Sequence, residues 1–336
     1  MKSIAVIDQS SWKEFNFENS GPWRNFEEVF LFSNFNFVEA GSRPDIIINL
    51  NHKYFSNYLH FFSTIRKNRI LILFEPKVNS PLNFNLLVRK LYGQVYVPSK
   101  YWSMDSPCEL FSWPQSDPSV IESSFFQKRR ENRAVLIAAD RYSFASGEMY
   151  SLRRGIALSE KIDLDVFGNG WNTPLILKIL KSLKSLMKHL ASGNFDLRFP
   201  KYLTKRIDSS RYRGYSQNKF ETLSRYKYSI VIENSLDYLS EKLMDAIIAG
   251  TIPIYVGPRL SEMNLPSGLA FEAEPSILGI EKALSAISQN ELLQQKILET
   301  GQTFLKSPDY DEIVNVKSLK TLALTILRKL NQIGES

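Results

Sequence analysis

The amino-acid sequence predicts two doubly wound α/β domains. The chain has 336 residues, more than one domain usually contains, so two domains of about 150 residues each are the default expectation. Strand-like runs alternate with helix-like runs along the chain, and the strand-like runs are continuously apolar. Continuous apolar runs are typical of parallel strands covered on both faces. Because the alternation is repeated in both halves of the chain, we predict two such sheets.

The predicted elements follow the chain in order. The strands of the first domain are residues 3–7, 45–49, 69–75 and 94–97. Those of the second are residues 134–138, 164–167, 228–232, 252–256 and 269–271. The helices are residues 152–161, 175–191, 219–225 and 241–249, with two or three more after residue 277. Prolines, serines and a basic cluster in residues 103–132 indicate a connection, so we predict domains at 1–125 and 126–336, the latter including the C-terminal helices.

Net charge and cysteine content indicate which binding partners and which cellular compartment suit the protein. The net charge of +7 and pI near 9.2 permit nucleotide phosphates, nucleic acid or an anionic membrane surface as partners. The single cysteine, Cys108, excludes an internal disulfide and a cysteine-rich metal site, which fits a reducing compartment. The N-terminal apolar run is far shorter than the roughly 20 residues of a membrane span. We therefore expect a cytoplasmic protein, and a peripheral position at the inner face of the membrane stays open.

Residues at the carboxyl ends of strands are the candidates for chemistry, because ligands of α/β proteins bind there. Glu75 ends its predicted strand, and Gly168, Glu233 and Asn234 come directly after theirs. A helix that begins near Ser240 would aim its free backbone N–H groups at the same place, and Lys242 adds a full positive charge. The combination suits a phosphate group.

Each candidate also has an ordinary structural explanation. A carboxylate at a strand end is more often a solvated loop residue than a catalyst. Arg153 and Arg154 would ordinarily lie on the exposed face of an amphipathic helix, and for Arg154 a surface position is our prediction. Tyr238 would ordinarily be a packing residue. The order and spacing of the candidates must therefore carry the inference.

Three motifs in the second half of the chain carry a family resemblance. The chain reads IENS at 232–235, YLSEKLMDA at 238–246 and AGTIPIYVG at 249–257. Together they resemble the signature of the bacterial soluble α-1,3-fucosyltransferases, glycosyltransferase family ten, with isoleucine at 232 in place of the usual phenylalanine. Upstream, YSLRRGIALSEKIDLDVFGNGW resembles the family's block of an arginine at a helix start before a strand and a glycine. RILILFEPKVNSPLNFN resembles its segment of strand, glutamate and Ser-Pro.

The resemblance implies the GT-B architecture, in which two Rossmann-like domains face each other across a cleft. It implies inverting transfer of L-fucose from GDP-fucose to a glycan hydroxyl, in α-1,3 or α-1,4 linkage, on a surface polysaccharide or lipopolysaccharide. The implied partners are GDP-fucose and a glycan acceptor, with no nucleic acid, no cofactor and no metal. Positive side chains must then neutralise the departing diphosphate.

By matching position, the resemblance assigns the donor-binding residues. Arg153 and Lys242 would bind the diphosphate. Asn234 and Tyr238 would supply hydrogen bonds to it, and Glu241 would accept hydrogen bonds from hydroxyls of the donor sugar or the ribose.

The resemblance and the position at a strand end make Glu75 the candidate general base. Asp45 and Asp105 are competitors, but Asp45 begins its predicted strand and Asp105 lies in the predicted connection. Glu233 either orients the loop after its strand or has a purely structural role, and Gly168 is a supporting residue.

The helix predicted over Leu175–Ala191 lies outside the motifs. It places Leu180, Leu183, Met187 and Leu190 on one face, and Lys178, Lys181, Lys184 and Lys188 on another. Such a helix can lie on an anionic membrane with its apolar face down. The alternative is an ordinary surface helix whose apolar face packs on the core and whose lysines face water.

Two other functions remain as alternatives. The first is a transferase of the same architecture that uses another nucleotide sugar, because the residues that would recognise the base and the sugar are not identified. The second is a non-catalytic, glycan-binding relic of the fold. The presence of both candidate diphosphate cations and a candidate base, Glu75, argues against a relic.

Overall fold

Two parallel sheets form the framework of the molecule. The computed structural model describes residues 2–8, 23–52, 58–103, 107–120, 129–194 and 197–334. Every strand pair in these ranges is parallel. The strands are β1 Lys2–Asp8, β2 Phe35–Phe37, β3 Ile46–Leu50, β4 Arg69–Ile72, β5 Gln94–Val97, β6 Glu109–Leu110, β7 Glu131–Ile137, β8 Leu164–Phe167, β9 Tyr226–Ile232, β10 Ile252–Val256 and β11 Phe271–Glu272.

Helices connect and cover the strands, as parallel pairing requires. The α-helices of the described ranges are α1 Trp23–Phe32, α2 Tyr58–Ser63, α3 Leu86–Arg89, α4 Tyr150–Leu158, α5 Leu175–Ala191, α6 Lys219–Ser224, α7 Lys242–Ile248, α8 Ile277–Ser288, α9 Glu291–Leu305, α10 Pro308–Ile313 and α11 Asn315–Gly334. None of the helices in these ranges combines the length and the apolar character that a membrane crossing would need.

The first compact unit comprises Met1–Pro114, Ala191–Gly193 and Glu312–Ser336. Its sheet has the order β2-β1-β3-β4-β5-β6, and every residue of β3 and β4 is buried. Helices α1 and α11 pack together on this sheet. The prediction assigned α11 to the second domain, but its apolar stripe is buried in the first core, because Leu319, Leu322, Ala323, Ile326 and Leu330 recur at helical spacing on one face.

The second compact unit comprises Gln115–Leu190 and Asn194–Asp311. Its sheet has the order β11-β10-β9-β7-β8. The central strands β7, β9 and β10 form the core with apolar side chains of α4, α8 and α9. In both sheets, the strand that comes first along the chain lies between the second and the third: β1 lies between β2 and β3, and β7 lies between β8 and β9. The strand order therefore reverses between β1 and β3, and between β7 and β9.

The central strands and most second-unit helices were predictable, but several boundaries differ. Strands β5, β8 and β10 and helix α5 have the predicted bounds. The strand predicted over 69–75 ends at Ile72, so Glu75 lies in the loop beyond it. Part of the predicted connection pairs with the first sheet as β6, and residues 104–106 and 121–128 lie outside the described ranges. Strand β2 and helices α1–α3 were not predicted.

His52 is buried just after β3 in the first unit. Its backbone N–H donates to Asn83 Oδ1 at 2.6 Å, and its ring Nδ1 lies 2.6 Å from the Tyr92 hydroxyl. Burial lowers the pKa of His52 from 6.5 to about 4, because the charged imidazolium would lose its hydration. The folded chain thus keeps this ring neutral at pH values where the unfolded chain protonates it.

We expect the free energy of unfolding to fall as the pH falls from 6.5 towards 4. The folded pKa lies below the unfolded value, so the unfolded chain binds more protons, and stability that is complete above pH 6.5 is lost on acidification. At pH 4.5 the loss is roughly 2 to 3 kcal/mol. Urea denaturation at pH 7.5 and pH 4.5 measures it, and His52→Asn should lose less than the wild type. Equal losses in the two proteins would contradict this assignment.

Candidate functional site

The carboxyl ends of β7 and β9 define a candidate ligand site in the second unit. These strands are neighbours in the sheet, and the strand order reverses between them. Open α/β sheets bind ligands at such a reversal, beyond the carboxyl ends of the strands. The loop after β7 and the loop after β9 emerge side by side there. The loop after β9 carries most of the residues that the sequence analysis predicts for donor binding.

Glu233 holds the loop after β9 in place. Its side chain is completely buried, and its backbone N–H donates to Val256 O at 2.8 Å. Its Oε1 accepts from the Ser240 backbone N–H at 2.9 Å, and its Oε2 accepts from the Ser240 hydroxyl at 2.7 Å. Burying a carboxylate is costly unless it is paired and hydrogen-bonded. Glu233 therefore ties the end of β9 to the start of α7, as expected for a residue that orients this loop.

Lys242 is the first residue of α7 and joins the same network. Its Nζ donates to the Ser240 hydroxyl at 2.6 Å and lies 3.4 Å from Glu233 Oε2. The ammonium group has three N–H donors, and these two contacts leave one of them for a ligand. Because 27% of the Lys242 side chain is exposed, a ligand can reach it.

Arg153 lies on α4 and is buried against the end of β9. Its Nε donates to Ile232 O at 3.1 Å, and its Nη2 donates to the same carbonyl and, at 2.9 Å, to Asn234 Oδ1. The N–H groups of Nη1 have no hydrogen-bond acceptor among the described residues. Burial lowers the pKa of Arg153, because the charged guanidinium loses its hydration, and the nearby Tyr150 and Glu233 oppose this shift only in part. An anion would compensate this buried charge.

A cavity of about 150 Å³ is lined by several of these side chains, among them Arg153, Glu241 and Lys242. Asn234 is connected to it through the hydrogen bond with Arg153. Ligand pockets usually measure about 300–1,000 Å³, so this cavity has room for only a part of a nucleotide-sized ligand. Tyr238 is buried in the loop and is not among the lining residues. Its predicted contact with the diphosphate stays a prediction.

Two residues of the cavity wall, Lys219 and Asp245, were missed by sequence reasoning. Lys219 Nζ lies 2.6 Å from Asp245 Oδ2, and the Ser116 hydroxyl donates to Asp245 Oδ1 at 2.6 Å. Burial raises the pKa of the Asp245 carboxyl. The available signal was the aspartate within YLSEKLMDA, one turn after the lysine that was singled out.

The loop after β7 contains a second buried charge cluster, which corrects the prediction for Arg154. Arg154 is buried rather than on the surface, because its Nε donates to Asp140 Oδ1 at 2.8 Å. Its guanidinium also lies 3.9 Å above the Tyr142 ring. The same carboxylate binds Lys178 Nζ at 2.8 Å, so Lys178 does not belong to an exposed lysine face. Asp140 thus fixes two cations beside the site, next to the exposed residue Arg141.

Gly168 lies where the loop after β8 passes closely over the loop after β7. Its φ of +132° favours glycine, and a Cβ atom here would clash with the Ala138 carbonyl. Its N–H donates to Gly214 O at 2.9 Å, and its carbonyl accepts from the Tyr212 hydroxyl at 2.9 Å. Gly168 therefore supports the loops at this edge of the sheet through its backbone.

The candidate base, Glu75, belongs to the first unit. Asn51 Oδ1 accepts from the backbone N–H groups of Phe74 and Glu75, at 2.8 and 3.0 Å, and from Asn83 Nδ2 at 3.1 Å. The half-buried Glu75 carboxylate accepts from Asn79 Nδ2. Asn51 was missed by sequence reasoning, although it directly follows β3, whose predicted form ended two residues earlier.

Neither of the two aspartates that compete with Glu75 for the role of general base is placed at the carboxyl end of a described strand. Asp45 precedes β3 and accepts from the backbone N–H of Ser3 at 2.7 Å, so it lies at the amino end of the sheet, as predicted. Asp105 lies outside the described residues. Within the part of the chain that the structure describes, His, Cys, Asp and Glu side chains form no group of three or more that could hold a metal ion.

Comparisons with known proteins place the fold. No family model matches the chain. A fucosyltransferase-like protein of Arabidopsis thaliana is 33% identical over 96 residues, which cover 26% of this chain and 19% of that relative. The match thus spans about a fifth of the relative's length.

Solved structures are similar over nearly the whole chain. HepE of Anabaena, in complex with UDP and glucose, has a TM-score of 0.59 and 10% identity, over 98% of this chain and 100% of the other. An α1,3-fucosyltransferase has a TM-score of 0.54 and 14% identity, over 100% of this chain and 90% of the other. A glycosyltransferase of Rickettsia africae has a TM-score of 0.54 and 10% identity, over 98% of both chains. The fold is thus that of the GT-B glycosyltransferases, and the chain is similar to the fucosyltransferases among them.

We expect Gly168→Ala to destabilise the second unit by about 3 kcal/mol or more, because strained backbone and a steric clash each cost about 1 to 3 kcal/mol. Gly147→Ala is the matched control, since Gly147 also has a positive φ, +80°, but a Cβ there meets no atom within 4 Å. Urea denaturation should give a clearly larger loss for Gly168→Ala. Equal losses in the two variants would show that the contact with Ala138 is unimportant.

Proposed function

We propose that the chain is an inverting glycosyltransferase that transfers L-fucose from GDP-fucose to a glycan hydroxyl, without a metal ion. One observation carries this proposal: Arg153 and Lys242 line one cavity at the strand-order reversal, and each keeps N–H donors for a ligand. Two cations with spare donors suit a diphosphate, which accepts charge-assisted hydrogen bonds.

The identity of the donor rests on similarity. The motifs around these cations resemble those of the α-1,3-fucosyltransferases, and the matched relative is named fucosyltransferase-like. A solved α1,3-fucosyltransferase with GDP has a TM-score of 0.52 with this chain at 14% identity. HepE, solved with UDP and glucose, favours a second candidate, a transferase of the same fold that uses a UDP-sugar.

The chemistry assigns each residue one task. The acceptor oxygen forms a bond with the anomeric carbon while the bond from that carbon to the diphosphate oxygen breaks. GDP leaves with an additional negative charge, which Arg153 Nη1 and Lys242 Nζ stabilise. Glu241 accepts hydrogen bonds from sugar or ribose hydroxyls. Glu233 binds no substrate in this scheme but holds Lys242 in position.

The proton of the acceptor hydroxyl passes to the carboxylate of Glu75, the proposed general base. This role requires the carboxylate to reach the acceptor oxygen. Hydrogen bonds from the backbone N–H groups of Phe74 and Glu75 to Asn51 fix the loop that carries it. A non-catalytic protein of this fold that only bound glycans would need neither the base nor the N–H groups of Arg153 and Lys242 that stay available to a ligand. We propose a surface polysaccharide or lipopolysaccharide as the acceptor and the cytoplasm as the location.

We expect Arg153→Ala and Lys242→Ala each to weaken GDP binding by about 1.5 to 3 kcal/mol, the usual value of hydrogen bonds to charged groups. Isothermal titration calorimetry in EDTA measures the affinity. Guanosine, which has no phosphates, should bind both variants as it binds the wild type, and Lys296→Ala, an exposed lysine of α9, is the control variant. Since Arg153 is buried, Lys242→Ala is the cleaner test. Unchanged GDP affinity in both variants would remove these cations from the pocket.

We expect Glu75→Gln to lower turnover by about 10²- to 10⁴-fold, the usual contribution of a positioned base, while GDP affinity stays nearly unchanged. Glutamine keeps the size of the side chain and an acceptor for Asn79. The assay follows fucosyl transfer to a glycan that the wild-type protein accepts. Glu39→Gln, an exposed glutamate of the same unit, is the control. Near-normal turnover of Glu75→Gln would exclude Glu75 as the base.

A further inference from the structure

Helix α5 packs on the second unit through polar residues. Its buried side chains are Lys178, Ser182 and His189. Lys178 pairs with the buried carboxylate of Asp140 at 2.8 Å, and His189 Nε2 lies 3.3 Å from the Ser143 hydroxyl. His189 Nδ1 lies 2.8 Å from a carbonyl oxygen of the same helix, so Nε2 is the ring nitrogen that accepts from Ser143. These contacts fix the rotation of the helix.

The apolar side of α5 faces outward. Eight large apolar side chains of the helix are exposed, and six of them lie on one side, namely Ile176, Ile179, Leu180, Leu183, Met187 and Leu190. Ile176 is 62% exposed and Met187 is 68% exposed. At 3.6 residues per turn, these positions form a continuous apolar strip over roughly a third of the helix circumference. We call it the α5 strip. It contradicts the expectation of an ordinary surface helix whose apolar side packs on the core.

A basic edge borders the α5 strip. Lys181 and Lys184 are exposed, and they lie between the strip and the buried polar side. The helix contains no aspartate or glutamate. A wide apolar face with lysines along its edge and no carboxylates is the pattern of helices that lie in the plane of an anionic membrane surface.

We propose that α5 docks the protein on an anionic lipid bilayer, with the α5 strip among the acyl chains and Lys181 and Lys184 at the phosphate groups. Charge complementarity selects this partner over a second copy of the chain. A second copy would bring the same lysines and no carboxylate from the same helix, whereas anionic headgroups neutralise them. The inference rests on exposure and charge alone and is independent of the proposed fucosyl transfer.

Docking would also place the candidate site near the bilayer. Asp140, which holds α5 through Lys178, belongs to the loop after β7 and is followed by Arg141 at the strand-order reversal. The anchor of the helix and the edge of the site thus share one loop. A glycan acceptor carried by a membrane lipid would be presented at such a position.

Vesicle co-sedimentation tests the proposal with the full chain. The probes are vesicles of phosphatidylglycerol and phosphatidylcholine in equal parts, and vesicles of phosphatidylcholine alone. We expect the wild type to bind the anionic vesicles and to dissociate as the salt concentration rises. The double variant Lys181→Gln/Lys184→Gln should bind them roughly 30-fold more weakly. The triple variant Ile176→Ser/Leu183→Ser/Met187→Ser should lose binding to the anionic vesicles.

The matched control is Leu292→Ser/Lys296→Gln on α9, since Leu292 is 81% exposed and Lys296 is exposed too. It should bind vesicles like the wild type, and all variants should keep the wild-type GDP affinity and melting temperature. Absence of wild-type binding to anionic vesicles would overturn the proposal. So would equal binding by all variants, or a dimer in sedimentation velocity that the triple variant dissociates while vesicle binding is absent.

Discussion

The buried carboxylate of Glu233 is the constraint on which the candidate site depends. A buried charge at the end of a central strand needs partners, and here they come from Ser240 and Lys242, which lie at the start of α7. The path of that loop is therefore fixed by electrostatics as well as by packing. Gly257 belongs to the same constraint, since a Cβ atom there would lie 2.9 Å from Glu233 Cγ and would clash with the Tyr255 hydroxyl.

The neighbouring strands β7 and β9 of the second unit end in the same way. Each is followed by a buried carboxylate, Asp140 after β7 and Glu233 after β9, and each carboxylate fixes lysine or arginine side chains around it. Arg153 lies against the end of β9, and its hydrogen-bond acceptors among the described residues are neutral, so no carboxylate in that part of the chain pairs with it directly. The strand-order reversal thus brings the charge of Arg153 next to carboxylates that already have cationic partners. A diphosphate would complete its charge balance.

The sequence predicted the sheet architecture and the places of the residues between the end of β9 and the start of α7. Both were predictable because apolar runs and a dense local motif can be recognised without tertiary contacts. It misplaced Arg154, since the carboxylate that buries it is fourteen residues upstream and no local pattern connects the two. It could not orient α5 either. The apolar and basic sides are visible in the sequence, but only tertiary contacts such as that of Lys178 with Asp140 show which side faces the core. The role of Asn51 beside Glu75 likewise depends on two strand ends that are distant in sequence.

The central claim is that this charge arrangement serves a GDP-sugar transferase. The most direct measurement is the release of free nucleotide from a panel of donors, GDP-fucose, GDP-mannose and UDP-glucose, by the purified full chain in EDTA, with and without a mixture of glycan acceptors. We expect GDP to be released from GDP-fucose fastest, with an increase when an acceptor is present. Faster release from UDP-glucose, or no release from any donor unless a divalent metal ion is supplied, would contradict the account.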